Sequence, residues 1–341
     1  MEKSLKVFKK KAESSRQKLV QLNYIDNSRK IISTKEFVYF PIKDFLKSKI
    51  NSLGTISSKK LQTIKTMPHS LSEILSKKLT KKELTQLKKA FDIFGDIIIL
   101  EVPPELKKKE KLIGDSLLKL YKNRRAVFKK TGAVKGIARV RPLKRIAGTG
   151  TSEVIYKEHG CTFKFDIGKM FFTPRLATER KIIADKVKPN ETVLCMFAGV
   201  GPFAILIAKT QTRCKVIALD INKSAIDYLK INANLNKVSE RISAYAGDSK
   251  ILVPKKFKES ADRIIMNLPK TSLNFLPTAL KALNKNGGII HYYTFKATKQ
   301  EVSAEVKSRL GDKKHKILAV RKVKPYAPRE YCFCADIKIY K

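Results

Sequence analysis

The residues best suited to chemistry in this sequence are a glycine pair and two aspartates that each follow a predicted strand. Gly199 and Gly201 come after the apolar run that begins at Val193, and they lack the Cβ that would hold a ligand away from the backbone. Asp220 and Asp248 stand in the same position after the next two strands. Because the carboxyl ends of parallel strands meet at one edge of a sheet, these residues predict a single binding site there.

The chemistry that fits this pattern is the binding of an adenosyl cofactor. A carboxylate at Asp220 can accept hydrogen bonds from both ribose hydroxyls, and Asp248 can receive the amino group of an adenine. The turn is not the dinucleotide fingerprint, because Ala204 occupies the place of the third glycine and Pro202 fits the first turn of a helix. The structural alternative is that each aspartate only caps a helix.

A polar residue and a proline follow the fourth predicted strand, in the segment Asn267-Leu-Pro-Lys270. Asn267 carries both a donor and an acceptor, while Pro269 stiffens the backbone and gives up its own N–H. This combination is typical of class I methyltransferases that modify a nitrogen in a planar base. A turn that simply begins at the proline is the structural alternative.

A helix is predicted to begin at Thr173, because threonine is a good N-cap and Pro174 fits the first helical position. Arg175 and Glu179 then lie on one face, with Arg180 offset by about 100°. Without further context this spacing predicts an ion pair that contributes a few tenths of a kcal/mol, roughly 0.3.

These residues require a sheet that brings several strand ends together. Regular alternation of helix and apolar strand predicts a doubly wound α/β sheet, and two long final strands, Lys314–Val323 and Glu330–Tyr340, predict an antiparallel hairpin at its edge. This is the Rossmann-like fold of class I methyltransferases. The parallel strands are predicted over residues 191–197, 215–221, 242–247, 262–267 and 287–294.

The charge of the chain is extreme. Its 341 residues include 73 lysines and arginines against 30 acidic residues, for a formal charge of +43. A surplus of this size repels itself in the folded state, so it favours a polyanionic partner, although a lysine-rich genome would also produce it. The candidate phosphate contacts are Lys107–Lys111, Lys122–Arg125, Lys129–Lys130 and Arg321–Lys324.

Other functional classes find no support in the composition. We expect no metal site, because the five cysteines and four histidines are dispersed without a C-x-x-C pair. No apolar run reaches the roughly 18 residues of a membrane span, and the amino terminus has no apolar signal-peptide core. We therefore expect a cytoplasmic protein with reduced thiols and no membrane partner.

Four segments, in this order, closely resemble the archaeal and eukaryotic tRNA (guanine-37-N1)-methyltransferase family: Tyr156–Gly160, Phe171–Arg180, Met196–Phe203 and Asn267–Lys270. The resemblance implies S-adenosylmethionine as the cofactor and tRNA as the partner, bound at its elbow and its anticodon stem-loop. We further expect a monomer.

The resemblance also implies catalytic roles. Glu179 is the candidate general base for the N1 proton, and Asn267 and Pro269 are expected to hold the guanine. N1 is protonated at neutral pH, so a positioned carboxylate must accept its proton. Negative charge develops on O6, and the family stabilises it with an arginine. The matching candidates are Arg139 and Arg141, which alternation places on one face of a strand.

The resemblance assigns the cofactor pocket to the first helix, the glycine turn and the strand ends. Two residues depart from the family pattern: Cys195, where an acid is common, and Phe171, where tyrosine is frequent. The expected cofactor-binding residues are Phe171, Arg175, Arg180, Phe197, Ala198, Gly199, Gly201, Asp220, Ile221, Asp248, Ser249 and Asn267.

We predict four segments along the chain. They are a small tRNA-binding module over 1–48 with a basic helix over Lys6–Leu22, a polar linker over 49–67, an α/β RNA-binding domain over 68–162, and a class I methyltransferase domain over 163–341.

Three other functions remain open at this point. Some archaeal relatives also, or instead, methylate C7 of the wyosine precursor 4-demethylwyosine at the same nucleotide. Another relative transfers an aminocarboxypropyl group, but such enzymes tend to lack the module that residues 1–48 supply. A non-catalytic RNA-binding factor would have no need of Glu179 or of Asn267-Leu-Pro.

Overall fold

A computed structural model describes residues 2–43, 50, 52–62, 70–88, 90–132 and 142–340. The chain divides into two compact units, Met1–Ser70 and Leu71–Lys341. In the described part of the chain, no helix combines the length and apolar character needed to cross a membrane.

Among the described residues of the first unit, an antiparallel sheet with the order β2-β3-β1-β4 packs on one helix. Leu5, Val7, Leu19 and Phe40 form its core. A 3₁₀ turn, Lys9–Lys11, precedes the helix. The elements are β1 (Glu2–Phe8), α1 (Ala12–Gln21), β2 (Ile32–Ser33), β3 (Phe37–Pro41) and β4 (Thr55–Lys59).

The structure corrects two predictions in this unit. The helix predicted from Lys6 begins only at Ala12, because Leu5 and Val7 alternate into the core as part of β1. The linker predicted over 49–67 contains β4, which pairs with β1 and places Ile56 opposite Leu5. The first module therefore extends past residue 48.

The second unit opens with a small sheet of order β5-β6-β7-β8. Strand β6 is buried on both faces: Ile98 and Leu100 pack on the helices of this sheet, while Ile97 and Ile99 join the core of the large sheet. A 3₁₀ helix, Pro104–Lys109, leads into α4. The elements are α2 (Leu71–Leu75), α3 (Lys81–Gln86), β5 (Phe91–Phe94), β6 (Ile97–Leu100), α4 (Glu110–Leu120), β7 (Ala126–Lys130) and β8 (Leu143–Gly148).

A hairpin, β9 (Glu153–Glu158) and β10 (Cys161–Asp166), follows this sheet. Phe163 and Phe165 of β10 lie in the same core as Val193 of the large sheet. The domain boundary predicted at 162/163 therefore falls inside the hairpin, whose core includes residues of both the small sheet and the large one.

Within the described residues, seven strands form the large sheet, in the order β13-β12-β11-β14-β15-β17-β16. The first five are parallel, and β17 runs antiparallel to both of its neighbours. The doubly wound sheet and the closing hairpin are thus as the sequence predicts. The elements are α5 (Ala177–Lys186), β11 (Thr192–Cys195), α6 (Pro202–Thr210), β12 (Lys215–Asp220), α7 (Lys223–Leu235), β13 (Ile242–Ala246), α8 (Ser249–Lys256), β14 (Arg263–Met266), α9 (Leu276–Ala282), β15 (Gly288–Lys296), α10 (Lys299–Leu310), β16 (His315–Ala327) and β17 (Glu330–Ile339).

The strand order reverses between β11 and β14, which creates a crevice at the carboxyl ends of the strands. Successive side chains of a strand point to opposite faces of the sheet, so two neighbouring residues pack in different hydrophobic cores. Tyr293 of β15 lies in the core beneath α5 and α6, whereas Tyr292 lies in the core beneath α9 and α10.

Candidate active site

A cavity of about 310 Å³ lies at this reversal point, beyond the ends of β11 to β14. Most of the residues expected to bind a cofactor line it. Those that do are Phe171, Arg180, Phe197, Ala198, Gly199, Asp220, Ile221, Asp248, Ser249 and Asn267.

The two glycines of the turn both have positive φ, but they serve different purposes. A Cβ on Gly199 (φ +55°) would meet nothing within 4 Å, so the backbone there faces open space. A Cβ on Gly201 (φ +89°) would approach Leu229 Cγ to 2.8 Å. Gly199 leaves room for a ligand, whereas Gly201 is required by packing and by the left-handed N-cap before Pro202.

Asp220 is fixed beside this turn by two backbone donors. Its Oδ2 accepts the Gly199 N–H at 2.7 Å and its Oδ1 accepts the Asn222 N–H at 2.9 Å. Burial raises the pKa of Asp220, and these two hydrogen bonds oppose the rise. Each carboxylate oxygen retains acceptor capacity. Next to it, Ile221 is 46% exposed and offers an apolar surface to a flat ring.

Asp248 and Ser249 are partly engaged within the protein. Asp248 Oδ1 accepts the Lys250 N–H at 2.8 Å and caps α8, which is the structural role left open by the sequence. The Ser249 hydroxyl donates to the Met196 carbonyl at 2.8 Å and ties this turn to the end of β11. Both residues nevertheless line the cavity.

A second cavity, of about 940 Å³, shares Phe171, Asn267 and Phe275 with the first. Pro269 lines only the second. The rings of Phe295 and Tyr326 stack in its wall with their centroids 3.7 Å apart, and Tyr326 is 51% exposed. Basic side chains also line it, namely Lys130, Arg175, Lys250, Lys270 and Lys324.

Asn267 stands where the two cavities meet. Its Oδ1 is buried and, among the residues described, has no hydrogen-bond partner. Buried polar atoms in native proteins almost always have a partner, so this acceptor is a candidate contact for a ligand. Phe197 packs edge-on against Phe275 at 4.8 Å beside it.

Glu179, the candidate general base, is a buried residue. It is 4% exposed and is absent from the described lining of either cavity. Its Oε1 accepts hydrogen bonds from the Tyr293 hydroxyl at 2.8 Å and from Arg321 Nη2 at 2.7 Å, and its Oε2 accepts one from Arg321 Nε at 3.2 Å.

The i,i+4 pair between Arg175 and Glu179 does not form, because the first turn, Pro174–Leu176, is a 3₁₀ helix. Arg175 binds Asp92 of β5 at 2.8 Å instead and lines the second cavity, not the first. Thr173 caps the turn as predicted, since its Oγ1 accepts the Arg175 N–H.

Arg180 lines the first cavity but is largely committed within the protein. Its Nε and Nη2 donate to the two oxygens of Glu158 at 2.6 Å and 2.5 Å, and its guanidinium lies 5.2 Å from the centre of the Phe172 ring.

Gly201 does not line the first cavity, for the packing reason given above. The two arginines expected at O6, Arg139 and Arg141, lie outside the described residues.

Several basic residues expected at phosphates have protein partners instead. Arg124 donates to the Gly95 carbonyl, and Arg125 pairs with Asp96. Arg321 is partly buried and pairs with Glu179. Sequence reasoning missed Arg321 and Tyr293 as neighbours of Glu179, since only the pairing of the last strands brings them to α5.

Cys195 is 1% exposed and does not line the first cavity. Burial raises the pKa of its thiol to about 12, so it is a neutral apolar side chain in the core. Its departure from an acid therefore removes no contact with the cavity.

Three protein-family descriptions match successive parts of the chain. The tRNA methyltransferase 5 N-terminal domain matches residues 4–50, the TYW2 N-terminal domain matches residues 71–151, and the TRM5/TYW2 methyltransferase domain matches residues 154–319.

Several known proteins are similar to this chain over nearly its full length. The chain is 38% identical to the tRNA (guanine(37)-N(1))-methyltransferase Trm5b of Pyrococcus abyssi, over 98% of each chain. The crystal structure of Trm5b from Pyrococcus abyssi matches with a TM-score of 0.84 at 36% identity and covers 100% of each chain. The complex of aTrm5 with tRNALeu matches with a TM-score of 0.80 at 35% identity, over 98% of this chain and 99% of that one.

Other relatives bind related ligands or carry other activities. Methanocaldococcus jannaschii Trm5 in complex with adenosine matches with a TM-score of 0.68 at 35% identity, over 99% of each chain. The tRNA 4-demethylwyosine(37)-methyltransferase Taw21 of Saccharolobus solfataricus is 33% identical over 73% of this chain and 94% of its own. The tRNA(Phe) (4-demethylwyosine(37)-C(7)) aminocarboxypropyltransferase of Pyrococcus horikoshii is 30% identical over 80% of this chain and 96% of its own.

Proposed function

The chain belongs to the TRM5/TYW2 methyltransferase family, and from that premise we propose that it methylates N1 of guanine 37 in tRNA, beside the anticodon, with S-adenosylmethionine as the methyl donor. The observation that carries this proposal is the position of Asn267. Asn267 lines both a cofactor-sized cavity and a larger one with a basic lining, and its buried Oδ1 has no hydrogen-bond partner among the described residues. A planar base with N–H donors satisfies that acceptor.

The first cavity fits the cofactor. Gly199 leaves open space in front of its backbone, Asp220 holds a carboxylate for the ribose hydroxyls, and Ile221 offers its apolar side chain to the adenine. Asp248 and the aromatic walls complete the set that would hold it. When bound, S-adenosylmethionine supplies an electrophilic methyl group to the attacking nitrogen.

The remaining task of the protein is to hold the base and accept its proton. Asn267 and Pro269 fix the guanine at the junction of the cavities, which converts a bimolecular reaction into a positioned one. Glu179 is the terminal proton acceptor. Arg139 or Arg141 stabilises the charge that develops on O6.

The second cavity suits a base turned out of an RNA loop. The Phe295–Tyr326 stack gives such a base, or its neighbour, an aromatic surface, and the lysines of the lining supply positive charge for phosphates. Arg175, which lines this cavity, is assigned to the RNA and not to the cofactor.

Two observations favour this reaction over aminocarboxypropyl transfer. The tRNA methyltransferase 5 N-terminal domain matches residues 4–50, and the aminocarboxypropyltransferase covers only 80% of this chain although it uses 96% of its own. Methylation of C7 in 4-demethylwyosine is the second candidate reaction, because a relative at 33% identity is named a 4-demethylwyosine methyltransferase. The experiment below includes that substrate.

The test is methyl transfer from labelled cofactor to transcripts that carry guanine or adenine at position 37, followed by nucleoside analysis. Label only in 1-methylguanosine, and only with the guanine transcript, supports the proposal. Equal labelling of the adenine transcript, or label in another nucleoside, refutes it. A tRNA that carries 4-demethylwyosine, assayed in parallel, shows whether C7 is a second acceptor.

A further inference from the structure

The proposed proton acceptor is separated from the cavity that would hold the base. Glu179 is 4% exposed and is not among the described residues that line the second cavity. Tyr293 of β15 does line that cavity, and its hydroxyl donates to Glu179 Oε1 at 2.8 Å. Tyr293 is itself 1% exposed, and among the described residues it is the one that both lines the base cavity and hydrogen-bonds Glu179.

We propose that Tyr293 is a catalytic residue that relays the N1 proton of the base to Glu179. This inference rests on the proposed function, because it needs a base nitrogen in the second cavity. As the N1–H bond breaks, the proton passes to the Tyr293 oxygen while the tyrosine's own proton passes to Glu179 Oε1. The N1 electron pair forms the bond to the methyl carbon, and the pair of the carbon–sulfur bond stays on sulfur. Tyr293 ends neutral, and Glu179 ends as the neutral acid.

The contacts at Glu179 give this relay a direction. Arg321 supplies two donors to the carboxylate, at 2.7 Å and 3.2 Å, so Glu179 is the acceptor and the tyrosine hydroxyl is the donor. Burial raises the pKa of Tyr293 well above its usual value, and Cys334 and Glu179 add to the rise. Tyr293 is thus a neutral hydroxyl whose oxygen can accept a proton as its own departs.

The surroundings of Arg321 allow Glu179 to become neutral. Arg321 Nη1 also donates to Asp336 Oδ2 at 2.5 Å, so the guanidinium keeps a carboxylate partner after proton transfer. Burial would raise the pKa of Asp336, but hydrogen bonds from His291, Arg321 and Lys186 hold it well below its usual range. Asp336 is therefore an anion throughout the reaction.

The tautomer of His291 follows from its neighbours. Its Nε2 lies 2.9 Å from Arg263 Nη1, and a guanidinium can only donate, so Nε2 accepts and Nδ1–H donates to Asp336 at 2.7 Å. Burial lowers the pKa of His291, which keeps the ring neutral. His291, Cys334 and Asp336 have the donor types of a metal site, but Arg321 and Lys186 already supply two cations to that carboxylate. His291, Cys334 and Asp336 therefore hold the guanidinium of Arg321 in place and do not form a metal site.

The chain provides a matched control on the same strand. Tyr292 is as buried as Tyr293, and its hydroxyl donates to Glu305 Oε1 at the same distance of 2.8 Å, in the core on the opposite face of the sheet. Loss of either hydroxyl removes one tyrosine–glutamate hydrogen bond. Only Tyr293 lines the second cavity.

The experiment compares Tyr293→Phe with Tyr292→Phe in single-turnover methyl transfer to a guanine-37 transcript. We expect Tyr293→Phe to slow the chemical step about 100-fold, the scale of a lost acid–base group, and Tyr292→Phe to stay within about threefold of wild type. Cofactor affinity is expected to be unchanged in both. The double variant Glu179→Gln/Tyr293→Phe should be no slower than the slower single variant, because the two residues act as one unit.

The pH dependence separates a relay from a displaced site. In Tyr293→Phe the rate should rise about tenfold per pH unit toward the alkaline range in which N1 ionises by itself, because base catalysis is then not needed. A wild-type rate for Tyr293→Phe, or a loss that is the same at every pH, would overturn the relay. A wild-type protein that forms no 1-methylguanosine would instead refute the proposed function.

Discussion

Asp220 meets two requirements at once. It must be ionised to accept two ribose hydroxyls, yet it lies in a buried position that disfavours its charge, and the Gly199 and Asn222 amides only partly compensate. The ionised form binds the ribose more strongly, so cofactor affinity should fall as the pH drops through the pKa of Asp220. Because burial raises that pKa, the fall should begin above the ordinary aspartate value of about 4.

Titration of cofactor binding between neutral and acidic pH checks this expectation. Asp220→Asn is the control: it should bind the cofactor about 10- to 100-fold more weakly, as expected for lost charge-assisted hydrogen bonds, and should show no such pH dependence. An unchanged acid limb in Asp220→Asn would assign the titration to another group.

Asp336 is expected to contribute strongly to stability because it is a buried anion that receives hydrogen bonds from three side chains. It is 3% exposed and binds Arg321, Lys186 and His291. Asp336→Asn removes the charge from a buried cluster and should lower the free energy of unfolding by about 3–5 kcal/mol. Urea unfolding measures this change.

The control for that measurement is Asp185→Asn, on the exposed side of α5. Asp185 pairs with Lys181 one turn away, and both side chains are about half exposed. Its loss should cost less than about 1 kcal/mol. Equal effects of the two substitutions would contradict a special role for the buried cluster.

The sequence alone was enough to locate the cofactor-side residues of this site, but not the partners of Glu179. Asp220 and Asn267 could be located because strand ends of a parallel sheet share one edge, so their positions in the sequence determine their neighbourhood. The partners of Glu179 could not be found this way, since Arg321 lies 142 residues along the chain. The position of Arg321 in a lysine-rich run suggested phosphate binding, and only the tertiary structure shows that its guanidinium pairs with Glu179 and Asp336.

At the scale of elements, the turn between β11 and α6 separates a binding glycine from a packing glycine. Gly201→Ala would introduce a Cβ 2.8 Å from Leu229 Cγ at a φ of +89°, and should destabilise the fold by about 1–3 kcal/mol. Gly199→Ala adds its methyl group to open space, so beyond the roughly 1 kcal/mol that alanine costs at a φ of +55°, its main effect should be cofactor binding weakened at least about tenfold.

Thermal unfolding and equilibrium binding of the cofactor, measured on both variants, test this division. Each variant is the control for the other. A Gly199→Ala protein that binds the cofactor normally would show that the open space is not part of the cofactor site.

Elements were predictable where burial imposes a pattern. The apolar runs at β11, β12 and β14 gave their strands directly, because strands of a parallel sheet are covered on both faces. Thr55–Lys59 was missed, since an edge strand with one neighbour needs few apolar residues and its sequence resembles a linker. The first turn of the helix at Pro174 was predicted as α but is 3₁₀, which left Arg175 to pair with Asp92.

At the scale of the whole molecule, the charge of +43 predicts that phosphate contacts dominate RNA affinity. With about five such contacts, tRNA affinity should fall roughly tenfold for each doubling of monovalent salt. Filter binding or fluorescence anisotropy over a salt series measures the slope. Cofactor affinity, measured in the same buffers, should change little, and a flat response for tRNA would contradict a phosphate-dominated interface.

In the proposed reaction, Glu179 receives the proton that N1 of guanine 37 must lose. The most direct measurement is the single-turnover rate of methyl transfer by Glu179→Ala and Glu179→Gln, each with its cofactor affinity determined separately. We expect the chemical step to be slowed at least about 100-fold in both variants, with cofactor binding retained. A Glu179→Ala protein that forms 1-methylguanosine at the wild-type rate would contradict it.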